Sequence, residues 1–182
     1  MASVQIGTGN ANGEIVVVQP HATMPDRDAV TGALKNFGML NDAYRATSLI
    51  VDYDQLENIE YPDLIHRQRQ RGDKPTTQAT INRYYLRELI QVIRPSVVIA
   101  CGAEALAILR GRKARSFGNY VGKTFDATDI SNCVFFSVTN PADYGFNRAP
   151  QALKEQGKRE WTEVAAIYRK CKEKLAKERW AC

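Results

Sequence analysis

Hydrophobic residues along the chain are concentrated in four short runs, separated by longer segments in which apolar positions recur with helical spacing. The runs are rich in β-branched residues, which favours strands buried on both faces of a parallel sheet. The predicted strands are Glu14–Gln19, Thr47–Val51, Ser96–Cys101 and Cys133–Val138. Because helical segments separate them, we predict an α/β protein: a three-layer α/β/α sandwich with a four-stranded parallel sheet.

The clearest unit of the pattern is the segment Thr76–Leu109, which predicts a helix, a strand and a second helix. The first helix is expected to end before Pro95, because the proline ring excludes the preceding residue from helical geometry. Gly102 follows the strand, and Gly111 is placed to terminate the second helix. A strand that passes through a glycine into a helix forms half of a ligand site, since the carboxyl ends of parallel strands lie beside helix N-termini.

Function in such a sheet is expected at the carboxyl ends of the strands. A loop over Pro20–Asp26 is predicted after the first strand, because two prolines exclude regular structure there. A second loop, Thr139–Gly145, is predicted after the fourth strand. Helices are predicted over Asp28–Phe37 and from near Gly157 to the end of the chain, where an apolar stripe predicts core packing.

Length and composition limit the class of protein. The 182 residues suit one domain, predicted over residues 14–182, with residues 1–13 as a flexible arm. The longest apolar runs are too short to span a bilayer, and the first residues carry no signal-peptide pattern, so a cytoplasmic location without a membrane partner is expected. The four cysteines form no C-x-x-C pair and are expected to be reduced and structural.

The positive charge is unevenly distributed. The net charge is +5, and the last 32 residues carry nine Lys or Arg against five Asp or Glu. A basic cluster after the predicted second helix of the central unit is a candidate phosphate-binding site, and an exposed solvated loop is the alternative. The cluster consists of Arg110, Arg112, Lys113 and Arg115. Five acidic residues between positions 52 and 63, with no basic residue among them, would repel a phosphate backbone in the same groove.

The order of these segments resembles that of the uracil-DNA glycosylase superfamily. Four segments carry the likeness: Gln19-Pro20-His21, Phe37-Gly38-Met39-Leu40, the stretch from Arg94 to Ala105, and Asn140-Pro141-Ala142 before the final helix. The resemblance implies a four-stranded parallel sheet between helices. It also implies hydrolysis of the bond that joins a flipped base to its sugar, with single- or double-stranded DNA as the partner.

The resemblance further implies a set of site residues. Asn140 stands where the family has a histidine; asparagine donates hydrogen bonds but exchanges no proton near pH 7. Since no carboxylate adjoins the proline of the first loop, His21 or Asp26 is expected to orient or deprotonate the nucleophile. The implied substrate-binding residues are Gln19, Pro20, Thr47, Ser48, Gly102, Pro141 and Tyr144. This chemistry requires no metal and no cofactor, and the changed residues suggest a modified pyrimidine as the base.

Other interpretations stay open at this point. Asn140, which precedes a proline, is also a residue type that initiates turns, and Tyr144 could pack against the last helix instead of entering a base stack. A catalytically diverged binding module for nucleic acid or protein would explain the missing acid and histidine. An enzyme acting on free nucleosides or nucleotides is the third hypothesis, prompted by the acidic segment.

Overall fold

The computed structural model describes residues 7–19, 24–47, 78–111, 117–144 and 149–180. Its strands are β1 (Gly7–Gly9), β2 (Ile15–Gln19), β3 (Ala43–Thr47), β4 (Val97–Cys101), β5 (Lys123–Thr124) and β6 (Val134–Val138). Its α-helices are α1 (Met24–Asn36), α2 (Gln78–Ile93), α3 (Gly102–Arg110), α4 (Pro141–Tyr144) and α5 (Gln151–Trp180).

The six strands form one mixed sheet in the order β1-β3-β2-β4-β6-β5. The α/β class is confirmed, but the predicted four-stranded parallel sheet is wrong. The four central strands run parallel, and β1 and β5 pair antiparallel with β3 and β6 at the two edges. The edge strands have the sequences GTG and KT, which carry no hydrophobic pattern, so only pairing with distant residues makes them strands. Part of the predicted flexible arm, Gly7–Gly9, therefore lies in the sheet.

The position of the second parallel strand also differs from the prediction of Thr47–Val51. Strand β3 ends at Thr47, where the prediction began, and residues 48–51 lie outside the described residues. Its sequence, AYRAT, lacks an apolar run, but Ala43 and Ala46 are buried between the neighbouring strands. The Arg45 side chain donates a hydrogen bond to Thr31 of α1. Pairing with β1 and β2 on its two sides thus stabilises β3, although the composition of this segment does not predict a strand.

Alternation along the central strands distributes the core between two faces. Ile15 and Val17 of β2 pack with residues of α1 and α5, whereas Val16 and Val18 pack with residues of α2 and α3. Each of these four side chains is fully buried. Helices therefore cover both faces of the sheet, and the apolar stripe of α5 is core, as its spacing predicted.

Three helix boundaries depart from the predictions. Helix α1 begins at Met24, so the end of the predicted Pro20–Asp26 loop is helical. Pro25 is tolerated in the first turn, because backbone amides there have no acceptor within the helix. Helix α4 replaces the predicted loop after β6, and α5 begins at Gln151, before Gly157. The prediction for Gly111 is confirmed: it ends α3 with φ +67°, and its amide bonds to the carbonyl of Ile108 at 3.0 Å.

No helix in the described part of the chain is long and apolar enough to cross a membrane. The three cysteines that the structure describes, Cys101, Cys133 and Cys171, form no disulfide. Burial raises the pKa of the Cys133 thiol to about 11, so this thiol is protonated at neutral pH.

Asp42 connects the start of β3 to the last helix. The Tyr168 hydroxyl donates to its Oδ2 at 2.7 Å, and the Lys172 ammonium lies 3.2 Å from the same oxygen. The hydrogen bond from Tyr168 is the largest influence and holds the pKa of Asp42 below its ordinary value of 3.8, with Lys172 acting in the same direction. The ionised carboxylate therefore stabilises the fold above the unfolded-state pKa, and this contribution is lost as the pH falls through the lower folded-state pKa.

We expect the Asp42→Asn variant to lose about 1 kcal/mol of unfolding free energy at pH 7, because a partly exposed charged hydrogen bond is replaced by a neutral one. The difference from wild type should shrink between pH 5 and pH 3. Urea unfolding followed by circular dichroism at several pH values measures it. The exposed Glu163→Gln variant on α5 is the control, and a difference that stays constant down to pH 3 would contradict the role given to Asp42.

Candidate functional site at the carboxyl edge

The register of the sheet aligns the ends of its four parallel strands. Gln19 pairs with Thr47, and Cys101 pairs with Val138. Gln19 also lies one position beyond the Val18–Ala100 pair, which places it next to Cys101. We call this row the carboxyl edge. Since adjacent strands are about 4.8 Å apart, β2 and β6 are separated by roughly 10 Å, about the width of a nucleoside.

Gln19 contributes a buried amide to the carboxyl edge. Gln19 lies two positions after Val17, so both side chains point to the same face of the sheet, the one that α1 and α5 cover. The residue is only 4% exposed, and its Oε1 is buried without a hydrogen-bond partner within the described ranges. An unpartnered buried carbonyl costs free energy, which a ligand that donates a hydrogen bond would recover.

Gly102 forms the turn from β4 into α3. Its φ of +85° lies in the left-handed region, where a side chain is strained, and the residue is buried. The turn brings the first backbone amides of α3 to the carboxyl edge. The sequence therefore located this strand-glycine-helix junction correctly.

Asn140 follows β6 and caps α4. Its Oδ1 accepts a hydrogen bond from the Ala142 amide at 3.3 Å, and its backbone carbonyl accepts one from the Asp143 amide at 2.9 Å. The interpretation of Asn140 as a turn initiator thus describes part of its role. The Nδ2 group makes no hydrogen bond to another described residue, so the same side chain retains a donor for a ligand.

A buried carboxylate that sequence reasoning missed supports the backbone before Asn140. Glu160 of α5 is 5% exposed and accepts hydrogen bonds from the Thr139 amide (2.6 Å), the Thr139 hydroxyl (3.1 Å) and the Gln156 side chain (2.8 Å). Glu160 lies four residues before Val164, within the apolar stripe of the helix. An acidic residue inside an apolar stripe is the signal that would have revealed it.

Two other polar groups on this side of the sheet are held in their neutral forms. Burial, and secondarily the charge of Glu160, raises the pKa of the Cys101 thiol well above its ordinary value. Burial also raises the pKa of Tyr144, with a further contribution from Cys101 and a smaller opposing one from the Trp161 indole. A neutral thiol is a poor nucleophile, so the geometry assigns no covalent role to Cys101.

Pro141 and Tyr144 lie at the end of a cavity of about 490 Å³ between α1 and α5. We call it the α1–α5 cavity. The Tyr144 ring packs against Gly157 of α5, in agreement with the second interpretation of this tyrosine as a packing residue. Neither residue is placed in the row formed by the strand ends, although α4 connects the two regions.

The structure does not bring Arg110 to the carboxyl edge. It lies at the far end of α3, about 12 Å along the helix from Gly102. Its guanidinium lies 4.0 Å from the centroid of the Tyr120 ring, as a cation–π pair. The other three residues of the predicted basic cluster, Arg112, Lys113 and Arg115, lie outside the described residues.

Several other predicted site residues also lie outside the described parts of the structure. They are Pro20, His21 and Ser48, together with the acidic segment between positions 52 and 63. For Asp26 and Thr47 the backbone alone is described: Asp26 lies in the first turn of α1, and Thr47 ends β3. Both backbone positions are near the carboxyl ends of parallel strands. Within the described ranges, no group of three or more His, Cys, Asp or Glu residues is arranged to hold a metal ion.

No protein-family model matches the chain, and a comparison with curated proteins finds no match. The resemblance to the uracil-DNA glycosylase superfamily therefore remains a prediction. Any functional assignment depends on the chemistry of the carboxyl edge.

Proposed function

We propose that the protein is a DNA glycosylase-type enzyme that holds a flipped, modified pyrimidine at the carboxyl edge and hydrolyses its N-glycosidic bond. The observation that supports this proposal is the row formed by Gln19, Gly102 and Asn140 at the ends of three adjacent parallel strands. Within roughly 10 Å, the row combines the buried acceptor of Gln19, a glycine (Gly102) at which a ligand can come close to the backbone, and the polar donor of Asn140. These are groups that a pocket for one nucleobase requires.

Recognition of the base is assigned to Gln19. A pyrimidine presents N–H groups on its pairing edge, and the unpartnered Oε1 of Gln19 would accept a hydrogen bond from one of them. Flipping the base out of the stack costs a few kcal/mol, which contacts of this kind must offset. Basic side chains outside the edge would supply the salt-dependent contacts to phosphate.

The bond that breaks joins C1′ of the sugar to the ring nitrogen of the base, and the bond that forms joins C1′ to a water oxygen. The bonding electrons leave with the base, whose developing negative charge Nδ2 of Asn140 would stabilise by hydrogen bonding. Since asparagine transfers no proton, the departing anion takes its proton from solvent. The role of orienting or deprotonating the water is assigned to His21 or Asp26.

The test is base release from single- and double-stranded oligonucleotides that contain varied pyrimidines, measured by mass spectrometry. Asn140→Asp keeps the oxygen that caps α4 but removes the Nδ2 donor, so we expect at least a tenfold loss of rate with little change in stability. Gln19→Ala should also lower the rate. Asn119→Ala, which removes an exposed amide elsewhere, is the control. Wild-type rates in Asn140→Asp and Gln19→Ala would exclude this mechanism.

A non-enzymatic binding module on the same fold is the second candidate. The buried carboxylate at this edge, Glu160, is already hydrogen-bonded to three protein donors, which makes it a structural group and not a base for water. Salt-dependent binding to the oligonucleotides without any abasic product would favour this candidate. If free nucleosides bind to the protein and DNA does not compete with them, an enzyme that acts on small substrates would be favoured instead.

A further inference from the structure

The α1–α5 cavity is a concave region on the face of the sheet that α1 and α5 cover. Its volume of about 490 Å³ falls within the range of small-molecule sites. Residues of α1 and α5 form its two sides, and Pro141 and Tyr144 of α4 form part of its lining. The functional assignment made above does not use this cavity.

Aromatic and small residues line the cavity. The Phe37 and Trp161 rings are stacked, with centroids 6.4 Å apart and planes inclined by 23°. Gly32 of α1 and Gly157 of α5 also line it, and the Tyr144 ring covers Gly157. A Cβ added at Gly32 would meet no atom within 4 Å, which shows open space in front of that residue. Since Phe37 is partly exposed and Trp161 is only 1% exposed, a planar ring in this space stacks on Phe37.

Two polar atoms on the lining residues are buried and lie close to each other. They are Nε1 of Trp161, a residue that is only 1% exposed, and the hydroxyl of Tyr144. An indole N–H is a donor only, so the Trp161 N–H interacts with the Tyr144 hydroxyl oxygen. Because neither atom is accessible to solvent, the pair belongs to the packing of α4 against α5 and takes no part in binding a ligand.

The charge at the rim of the cavity is positive. Lys154 and Lys158 both line it, and they lie on the same face of α5, one helical turn apart. Lys158 is exposed, whereas Lys154 is partly buried and makes other contacts. An anionic group at the mouth of the cavity would therefore be attracted, and this attraction would weaken in salt.

We propose that the α1–α5 cavity binds a small ligand that combines a planar ring with an anionic group, and that a free nucleoside monophosphate is such a ligand. The ring lies against the partly exposed Phe37, and the phosphate lies near Lys158. This site does not depend on base release at the carboxyl edge. It would add a small-molecule binding function to the protein.

The test is a titration of the full chain with nucleoside monophosphates, followed by calorimetry and by tryptophan fluorescence. Gly32→Leu projects a side chain into the open space in front of Gly32 and should weaken binding at least tenfold. Lys158→Glu should weaken it by about fivefold at low salt, and less at high salt. Lys170→Glu, an exposed residue of α5 outside the cavity, is the matched control and should bind like wild type.

The result that supports the proposal is saturable binding that Gly32→Leu abolishes while thermal unfolding shows an intact fold. Absence of binding at millimolar concentration, or equal binding by wild type and Gly32→Leu, would overturn it. Equal affinity for the corresponding nucleosides would overturn the role of Lys158. Base release from oligonucleotides should be unchanged in Gly32→Leu, so failure of this proposal and failure of the glycosylase proposal are distinguishable.

Discussion

Replacing Glu160 by alanine is expected to lower the unfolding free energy by about 3 kcal/mol, because the change leaves buried donors without an acceptor. The Thr139 amide, which donates to Glu160 at 2.6 Å, has no alternative partner among the described residues. The Thr139 hydroxyl and the Gln156 side chain lose the same acceptor. Chemical denaturation of the wild type and of Glu160→Ala measures the difference. Both curves are fitted with the same dependence of the unfolding free energy on denaturant concentration.

Two further variants show whether the buried hydrogen bonds cause this loss. Glu160→Gln keeps the length of the side chain and one acceptor oxygen, so about half of the loss is expected. Glu163→Ala removes an exposed carboxylate from the same helix and should change stability by less than about 0.5 kcal/mol. A loss for Glu160→Ala no larger than that for Glu163→Ala would show that the carboxylate does not hold the segment at Thr139.

Gly157→Ala is expected to destabilise the protein by about 2 kcal/mol, although alanine is intrinsically the better helix residue by about 1 kcal/mol. A Cβ at position 157 would lie 2.6 Å from Cε1 and 2.8 Å from Cε2 of Tyr144, closer than real Cβ contacts allow. The tyrosine ring must therefore move, or α5 must shift away from α4. Either movement disturbs the α1–α5 cavity.

A double-mutant cycle separates this steric effect from helix propensity. In a Tyr144→Ala background the overlap is absent, so Gly157→Ala should be neutral or stabilising, and the two changes should couple by about 2 kcal/mol or more. Gly32→Ala is the matched control, because a Cβ there meets nothing within 4 Å and should stabilise α1 by roughly 0.5–1 kcal/mol. Additive effects of Gly157→Ala and Tyr144→Ala would rule out the contact between them as the cause.

Local signals determined part of the candidate site in advance. The residues at the ends of β2, β4 and β6 were predicted because each strand is an apolar run and the connecting segments are helical. Parallel strands align their carboxyl ends, so Gln19, Ser48, Gly102 and Asn140 are expected along one edge, and the three that the structure describes, Gln19, Gly102 and Asn140, lie there. The chemical roles proposed for them remain to be tested by base release.

The contacts that hold the candidate site in place were not predictable from local signals. Glu160 belongs to an apolar stripe and is buried because its acceptors meet Thr139, which is 21 residues away in the sequence. The α1–α5 cavity depends on how α1, α4 and α5 pack against one another. Glu160 leaves one local signal, an acidic residue inside an apolar stripe, but its partner Thr139 and the cavity arise from contacts between separate elements.

By itself the sequence determined the α/β class, the three apolar central strands, and the ends of the helices at Pro95 and Gly111. These features follow from properties of adjacent residues: hydrophobic periodicity, proline geometry and the left-handed conformation of glycine. Only the tertiary structure decided the mixed six-stranded sheet and the position of β3. Strands β1, β3 and β5 bury little apolar surface of their own, so hydrogen bonds to distant strands select them as strands.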